Sequence, residues 1–287
     1  MRRLVGLACF LLACGDDAGT GAPERPTLFG GEQRPAELRV PASLDEGELY
    51  PLVMVLHGYG ASGFVQQAYF GAYPLATASS TAFVIAPDGT VDASGKQFWN
   101  ADALCCDFGN TGVDDVAYLG GILDDILASD WPIDPNKVFL IGHSNGGYMS
   151  YRMACERSDI IAAIAPLAGN ASSQPSSCTP DRPVNVLHMH GTADATVPFT
   201  GTTGAEPSVM QWAQKNGCGT TRTAGPDLDI ERNLVGAETR TASTDGCPAT
   251  GKVELWTIEG GSHIPVFVPT FTQIWFDWFL GHARATR

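Results

Sequence analysis

Positive charge is scarce in this chain. Lys and Arg number 17 against 31 Asp and Glu in 287 residues, for a formal net charge of -14. So acidic a surface is poorly suited to gripping nucleic acid or an anionic bilayer, and no nucleic-acid partner is expected. Long apolar runs are lacking too: beyond the N-terminus none approaches the ~20 residues that span a bilayer as a helix. No C-x-x-C pair occurs, and the adjacent Cys105 and Cys106 are poorly spaced as metal ligands, so no metal is expected. Charged residues make up only 17% while hydrophobic residues make up 44%, which excludes wholesale disorder and supports a packed core.

What is present begins with an export pattern. Met1-Arg2-Arg3 precedes a short apolar run from Leu4 to Ala13, the layout of a secretory signal. The sequence Leu11-Leu12-Ala13-Cys14 followed by polar residues resembles a bacterial lipoprotein signal, in which cleavage leaves Cys14 lipidated. An ordinary signal peptide cut nearby is the alternative. The expected division is a signal peptide over 1–13, a lipidated N-terminus and flexible tether over 14–35, and one folded domain over 36–287. Membrane contact is then by the lipid anchor alone, at an outer membrane or cell surface; without the anchor the protein is secreted. Discounting Cys9 and Cys14 leaves six cysteines, an even number that suggests disulfides in an exported chain. Cys218 and Cys247 are the first expected pair, because they staple one irregular, polar segment. Cys105, Cys106, Cys155 and Cys178 stay unpaired at this level.

Apolar runs over 51–57, 82–86, 137–142, 161–167, 184–190 and 253–258 read as strands buried on both faces, with a further short strand over 36–41. Helical spacing appears over 113–127, 208–215 and 270–280, with another helix between residue 145 and about 156. Asp114 and Asp115 fall in the first turn of 113–127, where carboxylates suit the helix dipole. Strands alternating with helices predict a mainly parallel central sheet with helices on both faces. The stretch 217–252 is the least regular and reads as excursions at the sheet edge.

Gly142-x-Ser144-x-Gly146 lies between a buried strand and a helix, the context a nucleophile elbow requires. The competing reading is a plain strand–helix turn with Ser144 as N-cap. A serine hydroxyl needs a base, and in this arrangement the base follows the serine with an acid between them. His57 precedes Ser144, His143 sits inside the elbow, His188 and His190 lie on a strand, and His282 follows the last helix. His263 remains, in a Gly-rich loop just after the last strand. Among the intervening carboxylates Asp194 directly follows a buried strand, at the end where sites on parallel sheets gather. Asp181 lies at the wrong end, and Asp227 and Asp229 are the fallback. The backbone N–H groups of Asn145 and Tyr59 are the expected oxyanion donors. His188-x-His190 puts two rings on one strand face, but a zinc site needs at least three protein ligands, and core histidines are the favoured reading.

These segments together resemble the polyhydroxybutyrate depolymerase and feruloyl esterase group of α/β-hydrolases, related to the first carbohydrate esterase family. The resemblance is carried by residues 51–58, Trp99-Asn100 with Cys105-Cys106, Val113-Asp114-Asp115-Val116 and Gly142-His143-Ser144-Asn145-Gly146-Gly147. It continues through residues 188–194 with Val197-Pro198, Asn216-Gly217-Cys218 and Gly260-Gly261-Ser262-His263. It implies a serine esterase with Ser144, Asp194 and His263 as triad, acting on plant-wall phenolic esters or polyester oligomers as a monomer, without a cofactor. It also implies that Trp99 lies near the acyl pocket. The group usually has a third Gly before the histidine and Thr-Trp-Pro after it; Ser262 and Ile264 depart from that. A serine peptidase on the same fold, or a non-catalytic binding protein on a hydrolase scaffold, are the competing functions. A histidine base further implies that activity falls as pH drops through the imidazole range near ~6.5.

Overall fold

The computed structural model describes residues 25–284. The signal segment 1–13 and the lipidation site Cys14 lie outside the described residues. In chain order the strands are β1 (Leu28–Phe29), β2 (Ala36–Arg39), β3 (Tyr50–Leu56), β4 (Phe83–Ile85), β5 (Thr90–Val91) and β6 (Gln97–Phe98). They continue with β7 (Ile133–His143), β8 (Ala163–Leu167), β9 (Asn185–Gly191), β10 (Arg222–Ala224), β11 (Thr239–Thr244) and β12 (Val253–Ile258). The helices are α1 (Gly63–Tyr69), α2 (Tyr73–Thr77), α3 (Asp115–Leu127), α4 (Asn145–Glu156), α5 (Ala205–Lys215) and α6 (Phe271–Gly281).

Ten strands form one sheet in the order β1-β2-β4-β3-β7-β8-β9-β12-β11-β10. The six from β4 to β12 run parallel, and antiparallel strands close both edges. Strand β3 explains why its sequence is continuously apolar. Leu52, Met54 and Leu56 pack into one core with α3, α4 and α5, while Val53 and Val55 pack into a second core with α2 and α6. Side chains alternate across a strand, so a strand covered on both faces has no polar side to show. This is the α/β-hydrolase architecture expected from the sequence.

Two expectations change. Residues 25–35 were assigned to the tether, yet β1 pairs with β2, and Arg34 forms an ion pair with the buried Asp115 at 2.7 Å. Trp131 donates its indole N–H to the Pro26 carbonyl, so this part is built into the domain. The irregular stretch 217–252 holds β10 and β11, which extend the sheet antiparallel from β12. Its polar sequence suits strands at a sheet edge with a solvated face. Cys218 and Cys247 bond as expected and staple that edge; with Cys155–Cys178 and the vicinal Cys105–Cys106 they make three disulfides among the described residues. Among the described residues no helix is long and apolar enough to cross a membrane.

Candidate active site

Strand β7 runs straight into α4, and the turn between them holds Ser144 at φ 53° and ψ -118°. A non-glycine residue in this region costs on the order of 1–3 kcal/mol, so the surrounding packing must enforce it. It does. A Cβ on Gly142 would sit 2.2 Å from the Gly146 carbonyl oxygen, and one on Gly146 would sit 2.2 Å from that of Leu56. Only glycine fits at either flank. Ser144 occupies the N-cap position of α4 but makes no side-chain cap hydrogen bond. The plain-turn reading therefore fails, because the hydroxyl is turned elsewhere.

It is turned to a histidine. Ser144 Oγ lies 3.0 Å from His263 Nε2, and His263 Nδ1 lies 2.7 Å from Asp194 Oδ2. His263 stands in the loop after β12 and Asp194 in the turn after β9, so all three come from the carboxyl ends of parallel strands. The amides of Thr196 and Val197 each donate to Asp194 Oδ1 at 2.8 Å. Burial alone would raise the Asp194 carboxyl. Hydrogen bonds from His190, His263, Val197 and Thr196 outweigh it and hold that carboxyl well below the usual carboxylate range. An ionised carboxylate only accepts, so Nδ1 of His263 carries the proton and Nε2 is left to accept from Ser144.

The expected oxyanion donors are braced by side chains that the sequence did not single out for this task. Nδ1 of His57 donates to the Gly58 carbonyl at 2.8 Å, because its Nε2 accepts from the Gly89 amide at 2.9 Å. A trans peptide points its C=O and N–H in opposite directions, so pinning the Gly58 carbonyl fixes the heading of the Tyr59 N–H. Trp99 donates its indole N–H to the His57 carbonyl at 3.0 Å. The Asn145 side chain accepts from the Trp99 amide at 2.7 Å and donates to the Trp99 carbonyl at 2.9 Å. The Asn145 end of α4 and the Gly58–Tyr59 peptide are thus locked to each other through one tryptophan.

Trp99 consequently needs a different description from the resemblance. It is fully buried and has no surface to offer an acyl group; it is a brace. Asp115 stands in the first turn of α3 as expected; it is also buried, and accepts from the Asn100 amide at 2.8 Å. Asp227 and Asp229 are exposed, and Asp227 pairs with Arg240. His143 donates from Nε2 to the His263 carbonyl at 2.8 Å, and burial pulls its imidazole down to about 4 despite that hydrogen bond. It stays neutral and holds the His263 loop.

A strained serine between a parallel strand and a helix, aligned with a histidine and an ionised aspartate, defines a serine hydrolase arrangement on an α/β-hydrolase fold. More particularly, the chain belongs to the phospholipase/carboxylesterase family, whose model matches residues 45–222. That span includes Ser144 and Asp194 and ends before His263. Feruloyl esterase B of Piromyces equi is 30% identical over 197 residues, covering 63% of this chain and 34% of that protein. Feruloyl esterase D of Neurospora crassa is 27% identical over 83% of this chain and 77% of that one. A protein of Nocardia uniformis subsp. tsuyamanensis named as an esterase is 32% identical over 55% of this chain and 44% of its own length. The chain thus spans less than half of two of these relatives. Among solved structures, an acetyl xylan esterase from Aspergillus awamori superposes with a TM-score of 0.61 at 19% identity, over 91% of this chain and all of that one. At that identity the likeness concerns the fold.

Proposed function

We propose that this protein is an exported serine carboxylic-ester hydrolase acting through an acyl-enzyme. The observation that carries the reading is the unbroken alignment of Ser144 Oγ, His263 and Asp194, at 3.0 and 2.7 Å. Ser144 attacks the ester carbonyl as His263 Nε2 takes its proton, and Asp194 stabilises the imidazolium. The developing oxyanion is held by the Asn145 and Tyr59 amides. The alcohol leaves with the proton from His263, and water activated by the same ring frees the acid. The names of the relatives favour aryl esters of the feruloyl type as substrates. Polyester oligomers of the hydroxyalkanoate kind are the finer alternative. Three disulfides support an oxidising compartment outside the cytosol, and the anchor at Cys14 belongs to the same proposal.

A fluorophosphonate tests the chemistry. Peptide mass spectrometry should find the adduct on Ser144, with none in Ser144→Ala, and the protein should hydrolyse methyl ferulate. An unlabelled Ser144 sinks the reading; labelling with turnover of aminoacyl anilides but not of esters would replace it with a peptidase.

The brace has its own test. Trp99→Phe keeps an aromatic ring but leaves the buried His57 carbonyl without its donor. The chain leading into the Gly58–Tyr59 peptide then loses one of its two anchors, the His57 ring still holding the Gly58 carbonyl, and kcat should fall about tenfold with little change in KM. Steady-state kinetics on p-nitrophenyl acetate decide it; a rise in KM alone would mean that Trp99 contacts substrate after all.

A further inference from the structure

Two buried histidines on β9 stand behind the triad, one of them, His190, hydrogen-bonded to Asp194. His188 and His190 stack on one strand face with ring centroids 5.3 Å apart, and both are wholly buried. Neither is idle. His190 Nε2 lies 2.8 Å from the Val197 carbonyl oxygen and 3.3 Å from Asp194 Oδ2. Both are acceptors, so this nitrogen carries a proton. In the neutral ring, His190 Nδ1 must then accept, and it faces His188 Nε2 at 3.1 Å. His188 Nε2 is therefore the donor and His188 Nδ1 the acceptor, opposite the Tyr151 hydroxyl at 2.8 Å.

With both rings uncharged, only one arrangement of protons satisfies every contact. Tyr151 donates to His188, His188 donates to His190, and His190 donates to the turn that holds Asp194. Burial keeps the Tyr151 hydroxyl protonated and the His188 ring neutral, in line with that assignment. The other titratable groups near this end are Asp194, His263 and His143; the Phe199 ring stands T-shaped to His190, with centroids 5.7 Å apart.

We propose that His190 is a positioning residue for Asp194, with its tautomer set by His188 and Tyr151. It acts along two routes. It pins the Val197 carbonyl, and the amide of the same residue binds Asp194 Oδ1. It also presents its N–H beside Oδ2, the oxygen that accepts the hydrogen bond from His263 Nδ1. Both routes resist rotation of the carboxylate away from His263. The proposal rests on the ester-hydrolase reading of Ser144, Asp194 and His263.

The experiment compares His190→Leu, His190→Gln and Tyr151→Phe on p-nitrophenyl acetate across pH 4 to 9, with circular dichroism to confirm folding. Gln can return an N–H close to the place of Nε2; Leu cannot. His190→Leu should lower kcat about tenfold with KM nearly unchanged. A carboxylate with fewer donors holds the imidazolium more tightly, so the acid limb of the profile should move to higher pH. His190→Gln should restore most of kcat and return the limb. Tyr151→Phe, two groups removed, should shift the limb in the same direction by less, and decides the matter if His190→Leu does not fold. Wild-type kcat and an unmoved limb in the folded variants overturn the proposal. So does an equal loss in Leu and Gln with an unmoved limb, which marks a core filler. If wild type neither hydrolyses the ester nor takes a fluorophosphonate at Ser144, the underlying reading has failed, and the proposal falls with it.

Discussion

Asp194→Asn should lower kcat about 10⁴-fold while leaving the protein folded. The size of the effect follows from where each oxygen of Asp194 points. Oδ1 accepts from two backbone amides, Thr196 and Val197, at 2.8 Å each. In the asparagine variant the amide oxygen must take that place, because an NH2 group there would face two donors. The new Nδ2 then stands where Oδ2 was, 2.7 Å from His263 Nδ1 and 3.3 Å from His190 Nε2. Donor meets donor at both contacts. The neutral His263 ring relieves the clash by moving its proton to Nε2, the nitrogen that must accept from Ser144. Shape and packing are almost unchanged, yet the base is in the wrong tautomer. Steady-state kinetics with thermal melting separate these effects. A loss of less than tenfold in a folded variant would mean that Asp194 does not govern the histidine, and the triad assignment would be wrong.

The same geometry explains what could be read from the sequence. Ser144, Asp194 and His263 were legible because chain order and the strand ends constrain them: each follows a buried apolar run, and each remaining histidine has an identifiable place elsewhere. The cores were legible for a related reason, since a strand covered on both faces must be apolar throughout. The brace was not legible. Nothing in Trp99 or His57 as isolated residues says that one donates to the backbone carbonyl of the other across 42 positions. The Trp99–Asn145 pairing mimics a strand ladder with a side-chain amide, and the spacing of 46 residues carries no periodic signal. His188 and His190 were recognisable as core histidines from their place on a strand, and their burial agrees with that. Their connection to Asp194 depends on how the turn after β9 folds back, which only coordinates reveal. The polar edge strands β10 and β11 were missed because their sequence is rich in Thr, Ser and Arg, with little apolar alternation to mark a strand.

Burying so many neutral imidazoles around the site should make the fold acid-labile well above the carboxylate range. His57, His143 and His188 are each lowered from the free imidazole value, in every case first because burial disfavours the charged ring. Hydrogen bonding strengthens the neutral form of His57, whose Nε2 accepts from the Gly89 amide and could not do so once protonated. The sign follows from proton counting. Above about pH 6.5 neither the folded nor the unfolded chain protonates these rings, and their contribution to stability is complete. As pH falls below that value the unfolded chain takes up protons that the folded chain refuses, so stability is lost. The loss continues until the folded rings titrate, which for His143 is about 4. A ring held as low as His143 costs roughly 1 kcal/mol for the step from pH 6 to pH 5, and His57 and His188 act in the same direction. Each such ring lowers Tm by about 2–4 °C for a domain of this size. Relief of acidic self-repulsion opposes it, since the formal charge is -14, but most carboxylates protonate nearer pH 4 and contribute little in this window. Asp194 is depressed, so its own contribution is lost only at still lower pH. Thermal melts at pH 7, 6 and 5 should therefore show a steepening decline. His143→Gln should flatten that decline, because the proton of His143 is no longer taken up on unfolding. A Tm that is level or rising from pH 7 to pH 5 would mean that these rings are solvated or already charged in the folded protein, and the neutral hydrogen-bond assignments around the site would have to be redrawn.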